Sequence, residues 1–224
     1  MMAEIKMLHE CGVKKLHIND DTFVLNRKWV LDFCDALKAE KMGITWMCNG
    51  RINLMDEELI SKMASSGCTA VQYGVESGSE RVLKMMGKQI SVSQVRKIIN
   101  LSVQYMDTIS TFMWGFPFET MGDFFQTVYV MGDVADMGSS VSLFLLAPLS
   151  LSPLYREYRD KLRFSEELVS NLLWDVFDRI PSEEKNEIFE MIRGNPDVFS
   201  GFYHIYTPDL EKKYDFLKQA GLIR

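Results

Sequence analysis

Short apolar runs alternate with longer amphipathic segments along the first two thirds of the chain. The runs are too short for helices and rich in Val, Ile and Phe, which is typical of buried strands. The intervening segments place apolar residues at helical spacing, as Val30, Phe33 and Leu37 do in the second of them. The pattern predicts five strands, at residues 13–18, 44–48, 69–75, 108–114 and 140–146.

Capping residues mark the ends of several predicted helices. Asn26 and Asp56 stand at expected N-caps, where a short polar side chain accepts a hydrogen bond from a backbone amide of the first turn. Ser91 followed three residues later by Gln94 fits a capping box. Gly67 stands where the helix after Asp56 should end. Each predicted strand is therefore followed by a helix.

Consecutive strand–helix units predict an α/β fold with a parallel sheet, because parallel strands need helical crossovers. Only helices are expected after Pro153, at 154–163, 166–179, 183–193 and 209–220. We therefore predict a TIM-type (β/α) barrel of about five parallel strands over residues 1–152. An all-helical C-terminal region should follow over residues 153–224.

Composition narrows the function classes. The 224 residues carry 25 basic and 31 acidic side chains, a net charge of −6, which argues against a partner that is nucleic acid or an anionic membrane. No apolar run approaches the roughly 18 residues of a membrane span, and the acidic start does not fit a signal peptide. The four cysteines show no paired metal-ligand spacing, so we expect core thiols in a reducing cytoplasm.

Polar and charged residues collect just after the predicted strands. The carboxyl ends of parallel strands meet at one edge, where α/β proteins bind ligands. Taken singly, Asp20 and Asp21 could be turn residues, Arg51 a structural ion pair and Glu119 a first-turn helix residue. Together they predict a pocket with both signs of charge, suited to a zwitterionic or hydroxyl-rich small molecule.

Three motifs in this order resemble the radical S-adenosylmethionine (SAM) superfamily: DDTF at 20–23, GVESGSE at 74–80 and GFPFET at 115–120. The similarity runs from about residue 4 to residue 155 and is strongest to the branch whose members often carry an N-terminal cobalamin-binding domain. The resemblance implies a partial, roughly six-stranded barrel in which a [4Fe–4S] cluster and SAM meet. Reductive cleavage of SAM would then give a 5′-deoxyadenosyl radical that abstracts hydrogen from a substrate.

The resemblance also implies which residues contact SAM. By motif position, Asp20 and Asp21 would lie near the SAM amino group, and Arg51 would face its carboxylate or the substrate. These three positions would hold the amino-acid end of the cofactor.

The nucleoside end of SAM is implied to meet two further segments. Glu76 and Ser77 match the ribose motif, and Gly115, Phe116 and Pro117 match the segment near the adenine. At position 118 a phenylalanine replaces the glycine common in this motif, and LSLS at 149–152 departs from the usual pattern. Both departures concern the contacts that the resemblance implies on the adenine side of SAM.

The cluster motif CxxxCxxC of the superfamily is absent from these residues, so no metal ligand is predicted. The leading hypothesis is therefore a fragment that begins after the first strand and is inactive alone. The full-length enzyme would use a small-molecule substrate and an electron donor.

Two alternatives stay open at this stage. One is a cluster-less relative acting as a binding or interaction module. The other is an unrelated TIM-barrel enzyme with Glu76 and Asp21 as acid and base. If the first strand is missing, the edge at residues 13–18 should favour dimerisation.

Overall fold

The computed structural model describes residues 1–21, 23–168, 179–181 and 183–223. Five parallel strands form one sheet in the order β1-β2-β3-β4-β5, which confirms the predicted α/β class. The strands are β1 (Lys15–Ile18), β2 (Thr45–Gly50), β3 (Cys68–Glu76), β4 (Asp107–Trp114) and β5 (Ser140–Leu145). Because strand order follows chain order, the polar residues after each strand reach the same edge of the sheet.

One helix precedes β1 and the others connect successive strands, with two of them between β3 and β4. They are α1 (Met2–Glu10), α2 (Arg27–Glu40), α3 (Glu57–Ser65), α4 (Glu80–Met85), α5 (Val92–Ser102) and α6 (Met121–Asp136). Helix α4 was not predicted as a separate element. It is only six residues long, too short to display a helical period.

The predicted caps are confirmed as hydrogen bonds. The Asn26 side chain accepts from the Trp29 amide at 3.1 Å, and Asp56 accepts from the Leu59 amide at 2.9 Å. The Ser91 hydroxyl and the Gln94 side chain form both bonds of the capping box. These bonds satisfy amides of the first turn that have no partner within the helix.

The sheet has two different faces, as the alternating burial of β3 shows. Val71, Tyr73 and Val75 are completely buried, whereas Gln72, Gly74 and Glu76 are half-buried. Tyr73 shares a hydrogen bond of 2.9 Å with Ser102 of α5, so the buried face is the helix-covered one. The opposite face is left accessible to a ligand.

The described chain divides into two compact units. The first comprises Met1–Phe112 and Gln126–Ser142, and the second comprises Met113–Phe125 and Leu143–Arg224. The expected domain boundary at residue 152 stays a prediction. None of the helices in the described ranges is long and apolar enough to span a membrane.

The C-terminal region is helical, as predicted, with one correction. Its helices are α7 (Pro153–Glu157), α8 (Lys185–Gly194) and α9 (Leu210–Gln219), and most of the predicted helix 166–179 lies outside the described residues. The region is not all-helical, because β6 (Leu162–Arg163) pairs antiparallel with β7 (His204–Ile205). Two-residue strands have no periodicity that a sequence pattern could reveal.

Candidate functional site

A cavity of about 360 Å³ lies in the first unit, toward the carboxyl ends of β1 to β4. A cavity of this size is within the usual range for small-molecule sites. Its walls are mostly polar and are formed by Asp21, Asn49, Gly50, Arg51, Gln72, Gly74, Glu76, Lys88 and Thr111. The cavity therefore unites residues from four strand ends, where the sequence predicted a pocket.

Strand β3 contributes three of these residues because side chains alternate along a strand. Gln72, Gly74 and Glu76 are spaced by two and share the half-buried face. On β4, Thr111 pairs in register with Gly74 and lies on the same side of the sheet. The sequence analysis missed Gln72 and Thr111. Gln72 stands two residues before Gly74, so the alternation of side chains along a strand was a usable signal for it. Thr111 reaches the cavity through its pairing with Gly74.

Glu76 has an unusual backbone conformation. Its φ of +71° is in the left-handed region, which non-glycine residues seldom adopt. The register between β3 and β4 shifts at this point, since Gly74 pairs with Thr111 but Glu76 with Phe112. Such a bulge redirects a side chain at the end of a strand.

Gly74 provides the space into which the Glu76 carboxylate turns. A Cβ atom built on Gly74 would lie 2.6 Å from Glu76 Oε1, closer than real contacts allow. Any other residue at position 74 would therefore displace the carboxylate. Gly74, the first glycine of the GVESGSE motif, therefore leaves the room that the Glu76 carboxylate occupies.

Lys88 fixes the same carboxylate from a second direction. Its Nζ atom donates to Glu76 Oε1 at 3.0 Å and to the Gly74 carbonyl oxygen at 2.7 Å. The lysine follows a Schellman motif at the end of α4, in which the Gly87 and Lys88 amides donate to Lys84 and Leu83 carbonyls. The sequence analysis missed Lys88, and the Met-Gly-Lys turn was the only signal for it.

Arg51 and Asp21 carry the charges that face the cavity without protein partners. Neither side chain forms a hydrogen bond or an ion pair with any residue in the described ranges, and both residues are exposed. The sequence left open that Arg51 forms a structural ion pair at the strand end, and no residue in the described ranges forms one with it. Asp20 does not line the cavity, and its carbonyl oxygen accepts a 3.3 Å hydrogen bond from Asn49.

Ser77, predicted beside Glu76, is placed away from the cavity wall. Its side chain is completely buried, and its hydroxyl shares a 3.0 Å hydrogen bond with Thr127 and accepts from the Ser79 amide at 3.1 Å. The next residue, Gly78, packs so closely that a Cβ atom would lie 2.5 Å from the Gln126 carbonyl oxygen. Ser77 therefore shapes the turn after β3.

The predicted adenine-side segment belongs to the second unit. Gly115 has a φ of +84°, Phe116 is 1% exposed, and Pro117 is half-buried. The Gly115 amide donates to Glu119 Oε2 at 3.1 Å, and the same oxygen accepts from Lys213 Nζ at 2.9 Å. Burial raises the pKa of Glu119, and the Lys213 charge opposes that rise. Glu119 therefore forms a buried ion pair with Lys213, whereas the sequence had left open a role as a first-turn helix residue.

Three of the four cysteines are core thiols, as expected, but the expectation is wrong for Cys11. Cys34, Cys48 and Cys68 are buried and free, and Cys11 is exposed and free. A hydrogen bond with Cys48 and burial raise the pKa of Cys68, which favours the thiol over the thiolate that a metal requires. Among the described residues, no three or more His, Cys, Asp or Glu side chains are grouped to hold a metal ion.

Comparisons with known proteins agree with the motifs. The uncharacterized methyltransferase PH0819 of Pyrococcus horikoshii is 32% identical over 130 residues, covering 57% of this chain and 28% of that protein. An anaerobic magnesium-protoporphyrin IX monomethyl ester cyclase of Rubrivivax gelatinosus is 23% identical over 224 residues, covering 95% of this chain and 39% of the cyclase. This chain thus spans well under half of either relative.

A solved structure has the same fold. The radical S-adenosylmethionine methyltransferase TsrM from Kitasatospora setae, with tryptophan and a SAM analog bound, matches with a TM-score of 0.71 at 14% identity. The match covers 100% of this chain and 45% of TsrM. The model of the radical SAM superfamily matches residues 1–128. The chain therefore belongs to the radical SAM superfamily.

Proposed function

We propose that the chain supplies the SAM-binding part of a radical SAM enzyme, which cleaves SAM reductively and abstracts hydrogen from a substrate that is not yet identified. The observation that carries the proposal is the unpaired Arg51 guanidinium at a polar cavity that also presents Asp21 and Glu76. An unpaired arginine facing a cavity is suited to bind a carboxylate through two hydrogen bonds.

The residues present fit the chemistry of SAM. Its amino-acid end carries a carboxylate and an ammonium group, which Arg51 and Asp21 can bind. Its ribose hydroxyls need acceptors, and Glu76 has a second carboxylate oxygen for which the described residues provide no donor. Lys88 holds Oε1, so the carboxylate is already oriented before a ligand arrives.

The residues present do not fit an iron–sulfur cluster. The cluster supplies the electron for SAM cleavage in this superfamily, but these 224 residues hold four cysteines without the three-cysteine spacing. The described side chains form no alternative ligand group. We therefore assign no step of the reaction to a cluster on these residues, and its ligands would have to come from elsewhere in the enzyme.

The reaction beyond SAM binding is not specified by the relatives. They include proteins named as methyltransferases, as a cyclase and as a tRNA-2-methylthio-N(6)-dimethylallyladenosine synthase, so the substrates differ widely. TsrM is described with cobalamin bound, which supports cobalamin as a possible further cofactor of the full enzyme. We propose a small-molecule substrate and an external electron donor as its partners.

The cluster-less relative acting as a binding module is the remaining alternative, since membership in the superfamily excludes an unrelated TIM-barrel enzyme. Reading the genomic sequence upstream of Met1 distinguishes the two. An in-frame CxxxCxxC supports the enzyme, and a stop codon supports the module.

The four free thiols support our proposal that the protein is cytoplasmic.

The test of SAM binding is calorimetric titration of the chain with S-adenosylhomocysteine, which shares the carboxylate of SAM, and with 5′-methylthioadenosine, which lacks it. We expect Arg51→Gln to weaken S-adenosylhomocysteine binding by about tenfold or more, because a charge-assisted pair is lost. Binding of 5′-methylthioadenosine should be unchanged.

Arg156→Gln is the matched control, because Arg156 is an exposed arginine on α7 that does not line the cavity. It should bind both ligands like the unmodified chain. If the unmodified chain binds neither nucleoside, or if Arg51→Gln affects both ligands equally, the assignment of this cavity is wrong.

A further inference from the structure

Gln72 of β3 presents a carboxamide to the cavity that the protein itself does not use. The residue is half-buried and lines the cavity, yet its side chain has no hydrogen-bond partner in the described ranges. Asn49, another neutral residue of the wall, donates to the Asp20 carbonyl oxygen at 3.3 Å. The Thr111 hydroxyl donates to the Tyr73 carbonyl oxygen, also at 3.3 Å. Gln72 therefore keeps its donors and its acceptor for another molecule.

The neighbours of Gln72 leave its carboxamide uncovered along the strand. The adjacent residues on the same face of β3 are Ala70 and Gly74, which carry a methyl group and a hydrogen in place of larger side chains. In the neighbouring strands, Asn49 of β2 and Ile109 of β4 stand in register with Gln72 and are half-buried on the same face. A ligand therefore has room to reach the carboxamide from along β3.

Gln72 lies farther from the carboxyl edge of the sheet than the charged groups of the cavity. It precedes Glu76 by four residues, which is roughly 13 Å of extended strand. Its register partner Asn49 precedes Arg51 by two residues, or roughly 7 Å. A cofactor that reaches from Arg51 to Glu76 would therefore lie on the carboxyl side of Gln72. The carboxamide is then left for a second molecule, which is the substrate in the proposed reaction.

The sheet gives no structural reason for a glutamine at this position. Strands of parallel sheets consist mostly of Val, Ile and Leu, because helices usually cover both of their faces. A half-buried carboxamide without a partner loses part of its hydration and gains no hydrogen bond in exchange. A ligand that pairs with Gln72 would supply the missing bonds.

The charges of the cavity wall indicate that this ligand group is uncharged. The described residues of the wall carry two carboxylates, on Asp21 and Glu76, and two cations, on Arg51 and Lys88. Glu76 and Lys88 pair with each other, and the proposed function assigns Arg51 and Asp21 to the amino-acid end of SAM. A carboxamide accepts and donates at the same time, so it pairs most fully with a group that does both, such as an amide or a lactam.

We propose that Gln72 determines substrate specificity by binding an uncharged amide or lactam group of the substrate next to the cofactor. The inference rests on the proposed function, in which SAM reaches from Arg51 to Glu76. It adds a chemical class for the substrate, which the differing substrates of the relatives do not indicate.

The test compares two probes with the same ring size. One is 2-pyrrolidone, a lactam with a donor and an acceptor, and the other is cyclopentanone, which has the acceptor alone. Each is titrated into the isotope-labelled chain saturated with S-adenosylhomocysteine, and the NMR shift of the Gly74 amide measures binding. We expect 2-pyrrolidone to bind about fivefold more tightly than cyclopentanone, because it forms one more hydrogen bond with Gln72.

Two variants and a control locate this preference at Gln72. Gln72→Met removes the carboxamide at nearly constant volume, so we expect it to fold and to bind the two probes equally. Gln72→Glu leaves an acceptor without a donor, so cyclopentanone loses its bond and the difference between the probes should grow. Gln126→Met is the matched control, because Gln126 is an exposed glutamine on α6 that does not line the cavity. It should show the preference of the unmodified chain.

Several results would overturn the proposal. Equal binding of the two probes by the unmodified chain is one, and an undiminished preference in Gln72→Met is another. Competition between 2-pyrrolidone and S-adenosylhomocysteine would place the lactam in the site of the cofactor and not beside it. Weaker binding of 5′-methylthioadenosine by Gln72→Met would show that the carboxamide serves the cofactor.

The same titrations without a nucleoside separate failure of this inference from failure of the proposed function. If the unmodified chain binds neither S-adenosylhomocysteine nor 5′-methylthioadenosine, the proposed function fails. A preference for 2-pyrrolidone that disappears in Gln72→Met would still support recognition of a lactam by Gln72. A chain that binds both nucleosides and shows no such preference retains the proposed function and overturns the inference.

Discussion

At the scale of single residues, Glu76 combines a strained backbone conformation with a proposed role in ligand binding. A left-handed conformation costs a non-glycine residue about 1 kcal/mol or more, and strained residues of this kind cluster at ligand sites. Glycine would relieve that strain at Glu76 but would remove the carboxylate that faces the cavity. The side chain is therefore retained at a cost in stability, which suggests a functional reason for it.

Two substitutions at this position separate the backbone from the side chain. Glu76→Gly and Glu76→Ala both remove the carboxylate and its bond to Lys88, so they should weaken S-adenosylhomocysteine binding to the same extent. They differ in the strain that they leave behind. We expect the glycine variant to have a free energy of unfolding about 1 kcal/mol above that of the alanine variant, measured by urea denaturation.

Alanine serves as the internal control, because it lacks the carboxylate but keeps the Cβ atom that is strained at a φ of +71°. An alanine variant as stable as the glycine variant would show that the turn relaxes and stores no strain. Different affinities of the two variants for S-adenosylhomocysteine would show that the backbone conformation itself contributes to binding.

At the scale of elements, the local signals in the sequence were reliable and the short elements were not. Asn26, Asp56 and the Ser91–Gln94 pair were identified as caps because a capping bond spans only two or three residues. Helix α4 and the β6–β7 pair were missed because they hold too few residues to show a period.

The edge of the sheet leads to a prediction about assembly. Strand β1 pairs only with β2 in the described structure, so one side of Lys15–Ile18 has no strand neighbour there. Unpaired strand edges favour association with another strand. We propose that the chain dimerises through β1, and we expect its mass in light scattering to rise toward a dimer with concentration.

Hydrogen exchange tests the position of that contact. Amides of β1 should exchange more slowly at high than at low protein concentration, whereas those of the interior strand β3 should not change. A chain that stays monomeric at high concentration, or a dimer without added protection in β1, would contradict the proposal.

At the scale of the whole molecule, the sequence predicted which strand ends line the cavity but not which lysines pair with Glu76 and Glu119. Asp21, Arg51 and Glu76 were found because each follows a recognisable strand, and parallel strands bring such positions together. Lys88 and Lys213 were missed because their partners depend on where a later helix ends or packs. Ser77 was expected from its motif, yet its hydroxyl shares a hydrogen bond with Thr127 of α6.

The second unit should also be the part of the molecule that is sensitive to mild acid. His204 of β7 is 3% exposed, and burial lowers its pKa to about 4, from about 6.5 in the unfolded chain. The folded state therefore favours the neutral ring, and the unfolded state binds a proton first as the pH falls. The stabilisation is complete above about pH 6.5 and is lost progressively toward pH 4.

This difference predicts a loss of roughly 2–3 kcal/mol in the free energy of unfolding between about pH 7 and about pH 4.5, measured by urea denaturation. His204→Gln cannot titrate and should lose much less over the same interval. His17→Gln is the control, because His17 is exposed on β1, and it should show the same loss as the unmodified chain. An equal loss in His204→Gln and His17→Gln would mean that other groups, such as carboxylates paired in the folded state, cause the acid sensitivity.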